Sequence, residues 1–253
     1  MRRKKNWNDY IDSLKDEMEQ KDWRIARDIN VAEKIKKETA QEIKKSVVVI
    51  KAKTANQQTY INCIKECTLT ICSGVAGTGK TYIACGIAAR YLNEGKIERI
   101  ILTRPLVECG RKIGALPGSL SEKTDAYMSA MFESFGDFFE PNILKKHFET
   151  KTIEVVPLET MRGRTFHNAF MILDEAQNAT KTQMTMFLTR MGVGTKVIVC
   201  GDTKQSDLDQ KEGNPLPWVI ERLSDPDIAK VVMGKEDIQR HGLLRHILER
   251  LSD

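Results

Sequence analysis

The sequence has no apolar run near the roughly 18 residues that a membrane-spanning helix requires, so none is expected. Its opening residues, MRRKKNWNDY, are basic but lead into no apolar segment, which argues against a secretory signal. The expectation is a cytoplasmic protein with no membrane partner. Aromatic residues are scarce at 6%. Charge of one sign is also scarce, since 40 Lys and Arg against 35 Asp and Glu leave only +5. That surplus permits nucleic-acid contact without the clustered excess of a dedicated phosphate-backbone binder. None of the six cysteines (Cys63, Cys67, Cys72, Cys85, Cys109 and Cys200) stands in a C-x2-C pair, which argues against a zinc site. They are expected to be small buried thiols in a reducing compartment. Internal repeats and low-complexity tracts are absent from the sequence.

What is there is a chain of 253 residues, 41% hydrophobic and 30% charged, enough for one sizeable core with a small appendage. Residues 1–45 differ from the rest, with 13 basic and 10 acidic side chains. Their apolar positions, Ile11, Leu14, Met18, Ile25, Ile29, Ala32 and Ile35, recur at helical spacing. This stretch reads as a charged helical arm, packed on its own core or on a neighbouring subunit. From residue 46 the texture becomes that of an α/β domain running to residue 253. Apolar runs at Val47–Ile50, Leu69–Cys72, Ile100–Thr103, Ile153–Val156, Phe170–Leu173, Val197–Cys200 and Ala229–Met233 predict strands. Helices are predicted around Gln58–Lys65, from Lys80 to about Asn93 with Gly95 as its stop, over Lys123–Phe139 until Pro141 breaks it, and over Ile238–Leu251. Strands alternating with helices imply a parallel sheet covered on both faces.

The strongest chemical signal is Gly74-Val75-Ala76-Gly77-Thr78-Gly79-Lys80-Thr81, a G-x-x-x-x-G-K-[ST] loop between a predicted strand and a predicted helix. Its glycines let successive backbone N–H groups turn inward on phosphate oxygens, and the helix adds its positive N-terminal end. Lys80 reaches the β- and γ-phosphates and Thr81 offers a hydroxyl to Mg²⁺. These loop residues, with Tyr82, are the candidate nucleotide contacts. A second signal, Phe170-Met171-Ile172-Leu173-Asp174-Glu175, is an apolar strand ending in two acids 94 residues beyond Lys80. Asp174 is the candidate Mg²⁺ ligand together with Thr81, and Glu175 the candidate base for the attacking water. That second acid favours hydrolysis over transfer to a small acceptor, as a kinase would perform. A third strand ends in Gly201-Asp202-Thr203-Lys204-Gln205, where the Gln205 amide suits the γ-phosphate or the lytic water.

These stretches together resemble the PhoH family of P-loop ATPases over residues 46–253. The resemblance is carried by Ala55–Tyr60, GVAGTGKTYIA from Gly74, TRPLVECG from Thr103, LPGSLSEKTDAY from Leu116, PLETMRGRTFHNAFMILDEAQNAT from Pro157, FLTRMGVGTKVIVCGDTKQSDL from Phe187, and Glu236–His241. The RGRT…ILDEAQN run is the most specific. The family is similar to the nucleotide-binding core of superfamily-one helicases, which implies a three-layer RecA-like P-loop fold with a mostly parallel sheet. The size suits a phage or bacterial single-core member. By the same resemblance Gln57 matches the reader of the adenine edge, Gln205 the γ-phosphate sensor, and Arg240 a late arginine near phosphate. Arg104 falls at a strand end that often touches nucleic acid or phosphate. Two departures stand out: Arg111 follows Cys109-Gly110 where an acid is usual, and Ala126-Tyr127-Met128-Ser129-Ala130 replaces a PYLRP-like stretch.

The helicases close two such cores over one nucleotide, and this chain has room for one. The expectation is therefore a homo-oligomeric ring, a hexamer, with ATP at subunit boundaries and Arg162, Arg164 or Arg190 acting across them. The expected activity is Mg²⁺-dependent ATP hydrolysis acting on RNA or single-stranded DNA. The alternative is a nucleotide-gated binding or assembly protein with slow turnover.

Overall fold

Along each central strand of the computed structural model, successive side chains enter different cores. On β6 (Ala169–Leu173), Ala169, Met171 and Leu173 face one core while Phe170 and Ile172 face the other. β7 (Lys196–Gly201) divides Val197 and Val199 from Ile198 and Cys200 in the same way. An apolar strand flanked by two cores is the mark of a sheet buried on both faces.

The structure describes residues 49–105, 107–108, 111–112, 133–206, 213–239 and 250. The predicted arm over 1–45, Cys109, the LPGSLSEKTDAY stretch and Arg240 lie outside them. The remaining strands are β1 (Leu69–Gly74), β2 (Arg99–Thr103), a short antiparallel pair of β3 (Val107–Glu108) and β4 (Arg111–Lys112), β5 (Ile153–Val155) and β8 (Ile228–Met233). Six of them form one sheet in the order β5-β2-β6-β7-β1-β8, parallel at every pairing. Helices α1 (Ala55–Glu66), α2 (Lys80–Asn93) and α3 (Pro141–Glu149) cover one face; α4 (Lys181–Leu188) and α5 (Pro215–Arg222) cover the other. This is the three-layer RecA-like architecture that the sequence led us to expect. The acid-bearing β6 is separated from the loop-bearing β1 by one strand, β7.

Local chemistry explains the helix ends. Thr54 caps α1 by accepting from Gln57 N, and Thr180 caps α4 in a reciprocal box with Gln183. Asn214 caps α5, with Pro215 at the first helical position. Gly95, at φ 68°, follows the end of α2.

Five expectations require correction. Val49 and Ile50 are not in a strand. Ile50 instead packs on α2, where a Cβ on Gly86 would sit 2.1 Å from its Cδ1. Of the predicted helix over Lys123–Phe139, residues 123–132 lie outside the described residues, Glu133 is helical, and residues 134–139 form turns and a bend instead. Gly136 N–H closes on Glu133 O, and the rings of Phe138 and Phe139 pack on Tyr82 and His147. Pro141 does not break a helix but opens α3, because its missing N–H and fixed φ suit a first turn. Of the predicted helix over Ile238–Leu251, Ile238 and Gln239 are not helical, since the Gln239 N–H bonds Gly77 O instead of joining a helical ladder; residues 240–249 and 251 lie outside the described residues. The thiols of Cys72, Cys85 and Cys200 are buried, and burial pushes Cys200 up to about 12. Cys63 and Cys67, expected to be buried, are only half-buried.

Candidate active site

The loop from β1 to α2 owes its course to its glycines. Gly74 (φ 153°), Gly77 (φ 83°) and Gly79 (φ 84°) hold backbone angles that other residues rarely adopt. Gly74 also has no room for a side chain, since a Cβ would lie 2.2 Å from Met233 O on the adjacent β8. Lys80 Nζ donates to the loop's own carbonyls, Gly74 O at 2.6 Å and Val75 O at 3.0 Å. Thr78 is buried and its hydroxyl bonds Val75 O.

The acids arrive from β6. Asp174 is 7% exposed, and its Oδ1 accepts from Thr81 Oγ1 at 2.6 Å. Burial holds its carboxyl above the ordinary value; the Arg104 guanidinium pulls the other way, the neighbouring Glu175 pushes up, and the Thr81 hydroxyl pulls down. Glu175 sits in the left-handed region at φ 49°. That conformation costs about 1–3 kcal/mol in a non-glycine residue and is characteristic of sites where geometry is imposed. One nitrogen of Arg104, just beyond β2, bridges both acids: Nη2 lies 3.2 Å from Asp174 Oδ2 and 3.1 Å from Glu175 Oε1.

Gln177 joins this group to β7. Its Nε2 donates to Glu175 Oε2 at 2.5 Å, and its Oε1 accepts the Asp202 N–H at 3.0 Å. Gly201 must lack a side chain here, because a Cβ would approach Gln177 Oε1 to 2.7 Å. Gln205 is exposed beyond β7, with its carbonyl held by Asn214 Nδ2 at 2.9 Å.

A cavity of about 640 Å³ brings Ala76, Gly77, Gly79, Lys80, Thr81, Tyr82, Gln57, Asp174, Glu175 and Gln205 together. Gly74, Val75 and Thr78 are not among the residues that line it. Tyr82 is half exposed, with its ring 4.9 Å from that of Phe138. Gln57 does not present a free amide to the cavity. It is 3% exposed, its Nε2 donates to Thr78 O at 3.0 Å and its Oε1 accepts from Lys53 N at 2.8 Å.

Sequence reasoning missed Gln177, Asn214 and the bridging contact of Arg104. The two-residue spacing from Glu175 to Gln177 on a tight turn was the available signal for the first. Of the arginines expected to act across a boundary, Arg164 makes a bidentate pair with Glu154 (2.7 Å for each bond) and stacks on Phe166. Arg190 donates to Met186 O and Arg164 O. Arg162 is exposed beside Gly163. Among the described residues there is no group of three or more His, Cys, Asp and Glu that could hold a metal, and no helix long and apolar enough to cross a membrane.

The model of the family described as "PhoH-like protein" matches residues 49–252. The chain belongs to the PhoH-like family. A PhoH-like protein of Mycobacterium bovis is 44% identical over 201 residues, which cover 79% of this chain and 57% of the relative. One from Synechocystis is 40% identical over 222 residues, covering 85% and 68% respectively. The chain thus spans little more than half the length of the mycobacterial PhoH-like relative. Among solved structures, the large terminase of a thermophilic bacteriophage in complex with ADP is similar at a TM-score of 0.48 and 15% identity, over 78% of this chain and 49% of that one.

Proposed function

We propose that this PhoH-like chain binds ATP with Mg²⁺ in the cavity ahead of Lys80 and hydrolyses it, as a homo-oligomeric ring acting on RNA or single-stranded DNA. The observation that carries this reading is the meeting of the Thr81 hydroxyl with the buried Asp174 carboxylate at 2.6 Å, beside Glu175. One hydroxyl and one carboxylate fit Mg²⁺, which favours few protein ligands, keeps several waters and takes its other oxygens from phosphates. When bound, the ion offsets negative charge on the phosphates.

The chain's own residues supply the rest. The loop amides and the N-terminal end of α2 hold the phosphates, and Lys80 exchanges the Gly74 and Val75 carbonyls for phosphate oxygens. Glu175 takes a proton from water as the water oxygen bonds the γ-phosphorus. The bond to the β,γ-bridging oxygen breaks, and ADP and phosphate leave. The Gln205 amide orients that water or the γ-phosphate. A second copy completes the site with an arginine, for which exposed Arg162 is the candidate, since Arg164 and Arg190 are engaged within the chain. Residues 1–45, rich in charge of both signs, serve that assembly in this reading.

The second reading, nucleotide-gated assembly with slow turnover, is favoured by Arg104, whose guanidinium ties both acids together. ATP turnover measured with RNA, with single-stranded DNA and with neither, beside a sedimentation mass, separates the two. The proposal expects an oligomer whose turnover rises with one polymer. A fully active monomer removes the ring, an unchanged rate at low salt removes the polymer, and negligible turnover with tight binding leaves the gated reading.

A further inference from the structure

Behind the P-loop, away from the cavity, a buried carboxylate ties together two distant parts of the chain. Asp237 is fully buried in the turn that follows β8. Its Oδ1 accepts from the Thr54 hydroxyl, and its Oδ2 accepts from Asn56 Nδ2 and Gly234 N, both at 2.8 Å. Thr54 and Asn56 lie more than 180 residues away in sequence, at the start of α1. Each of these two joined elements reaches one carbonyl of the phosphate loop. From the β8 side, Gln239 N–H donates to Gly77 O at 3.0 Å. From the α1 side, Gln57 Nε2 donates to Thr78 O at 3.0 Å. Thr54 closes the circuit, since the hydroxyl that donates to Asp237 also accepts from Gln57 N.

We infer that Asp237 and Gln57 are positioning residues that set the phosphate loop from behind, and that Gln57 acts on the loop and not on the base. A peptide unit's N–H and C=O point in opposite directions. Pinning the Gly77 and Thr78 carbonyls therefore also fixes the next N–H groups, those of Thr78 and Gly79, each of which shares a peptide unit with a pinned carbonyl. Fixing those donors before ligand arrives removes an ordering cost that binding would otherwise carry. The clamp touches only backbone and phosphate geometry, so it serves any nucleoside triphosphate equally. Asp237 is suited to this place because a carboxylate is acceptor-only, and three donors converge on it. An amide at this position would turn its NH2 group either toward Asn56 Nδ2 and the Gly234 N–H or toward the Thr54 hydroxyl, and loses one acceptor in either case.

The inference rests on the P-loop reading above, and the test keeps the two apart. Equilibrium affinity for MgATP and MgGTP is measured by calorimetry on the full chain, for wild type, Lys80→Ala, Gln57→Ala, Asp237→Asn and their double variant, with turnover at saturation alongside. The expectation is that Gln57→Ala and Asp237→Asn each weaken both nucleotides by about tenfold, leave the ATP-to-GTP ratio unchanged, keep turnover at saturation within about twofold, and combine to less than the sum of their separate losses. A Gln57→Ala loss confined to ATP makes Gln57 a base reader and overturns the inference. So does wild-type affinity in Asp237→Asn, or reduced turnover with affinity unchanged, which is the signature of simple destabilisation. Should Asp237→Asn fail to fold, Thr54→Val opens the same circuit and is judged by the same outcomes. A wild type that binds neither nucleotide, like Lys80→Ala, overturns the P-loop reading itself.

Discussion

Thr81 Oγ1 donates to Asp174 Oδ1 at 2.6 Å across 93 residues of chain. The contact joins the first turn of the helix behind the phosphate loop to the end of the acid-bearing strand. It sets side by side the two groups proposed to hold Mg²⁺.

Two substitutions separate binding from chemistry. Lys80→Ala removes the one loop side chain able to neutralise phosphate and is expected to abolish measurable MgATP binding. Glu175→Gln keeps the shape and removes the base, so binding should persist while turnover falls by about 10²–10⁴-fold. Calorimetry beside a phosphate-release assay reads both. Equal turnover in wild type and Glu175→Gln would show that another group takes the proton.

The raised pKa of Asp174 has a sign that can be checked. In the folded chain burial makes this carboxyl hold its proton to higher pH than in the unfolded chain. Its contribution therefore favours folding less and less as pH rises from the unfolded to the folded value, and the cost is fully present above the folded value. Asp174→Asn should accordingly raise the metal-free melting temperature at pH 7 more than at pH 4. Mg²⁺ requires the ionised form, so its stabilisation of wild type should fade on acidification through the same interval. Melting curves with and without Mg²⁺ between pH 4 and pH 8 test both statements.

Gly74→Ala places a methyl group 2.2 Å from Met233 O, a backbone atom that cannot turn aside. The β1–β8 pairing must shift, and a loss of about 2 kcal/mol or more in urea unfolding is expected. Gly95→Ala, with nothing within 4 Å of the added carbon, serves as the comparison. It meets only the cost of its left-handed backbone.

The arginines near β6 should behave differently from one another. Arg164→Ala loses a paired but over one-third exposed contact with Glu154, so solvent screening keeps the stability loss below about 1 kcal/mol. Its turnover should stay near wild type. Arg162→Ala should leave both mass and stability unchanged and still lower turnover by about tenfold or more. Full turnover in Arg162→Ala would assign the trans role elsewhere.

Much of this site could be read from the sequence because its chemistry is local. The loop glycines, Lys80 and Thr81 are contiguous, and Asp174 and Glu175 end an apolar run. What could not be read depends on partners far apart in sequence. Gln57 reads as a base contact until Thr78 and Lys53 are seen to hold both ends of its amide. The tie from Asp237 to Thr54 and Asn56 spans more than 180 residues, so no local pattern records it. The boundary errors have the same origin. Ile50 satisfies its hydrophobicity against a helix while Val49 stays exposed, and Phe135–Phe139 spends its rings around a turn. An apolar run records that burial is needed, without recording against what.

The placement of β7 between β1 and β6 has one more effect. Neighbouring strands stand about 4.8 Å apart, so this single intervening strand sets the carboxylates roughly 10 Å sideways from the strand that feeds the phosphate loop. The same strand runs on toward Gln205, which lines one cavity with Lys80, Asp174 and Glu175, so the strand that sets their spacing also brings a neutral amide beside them.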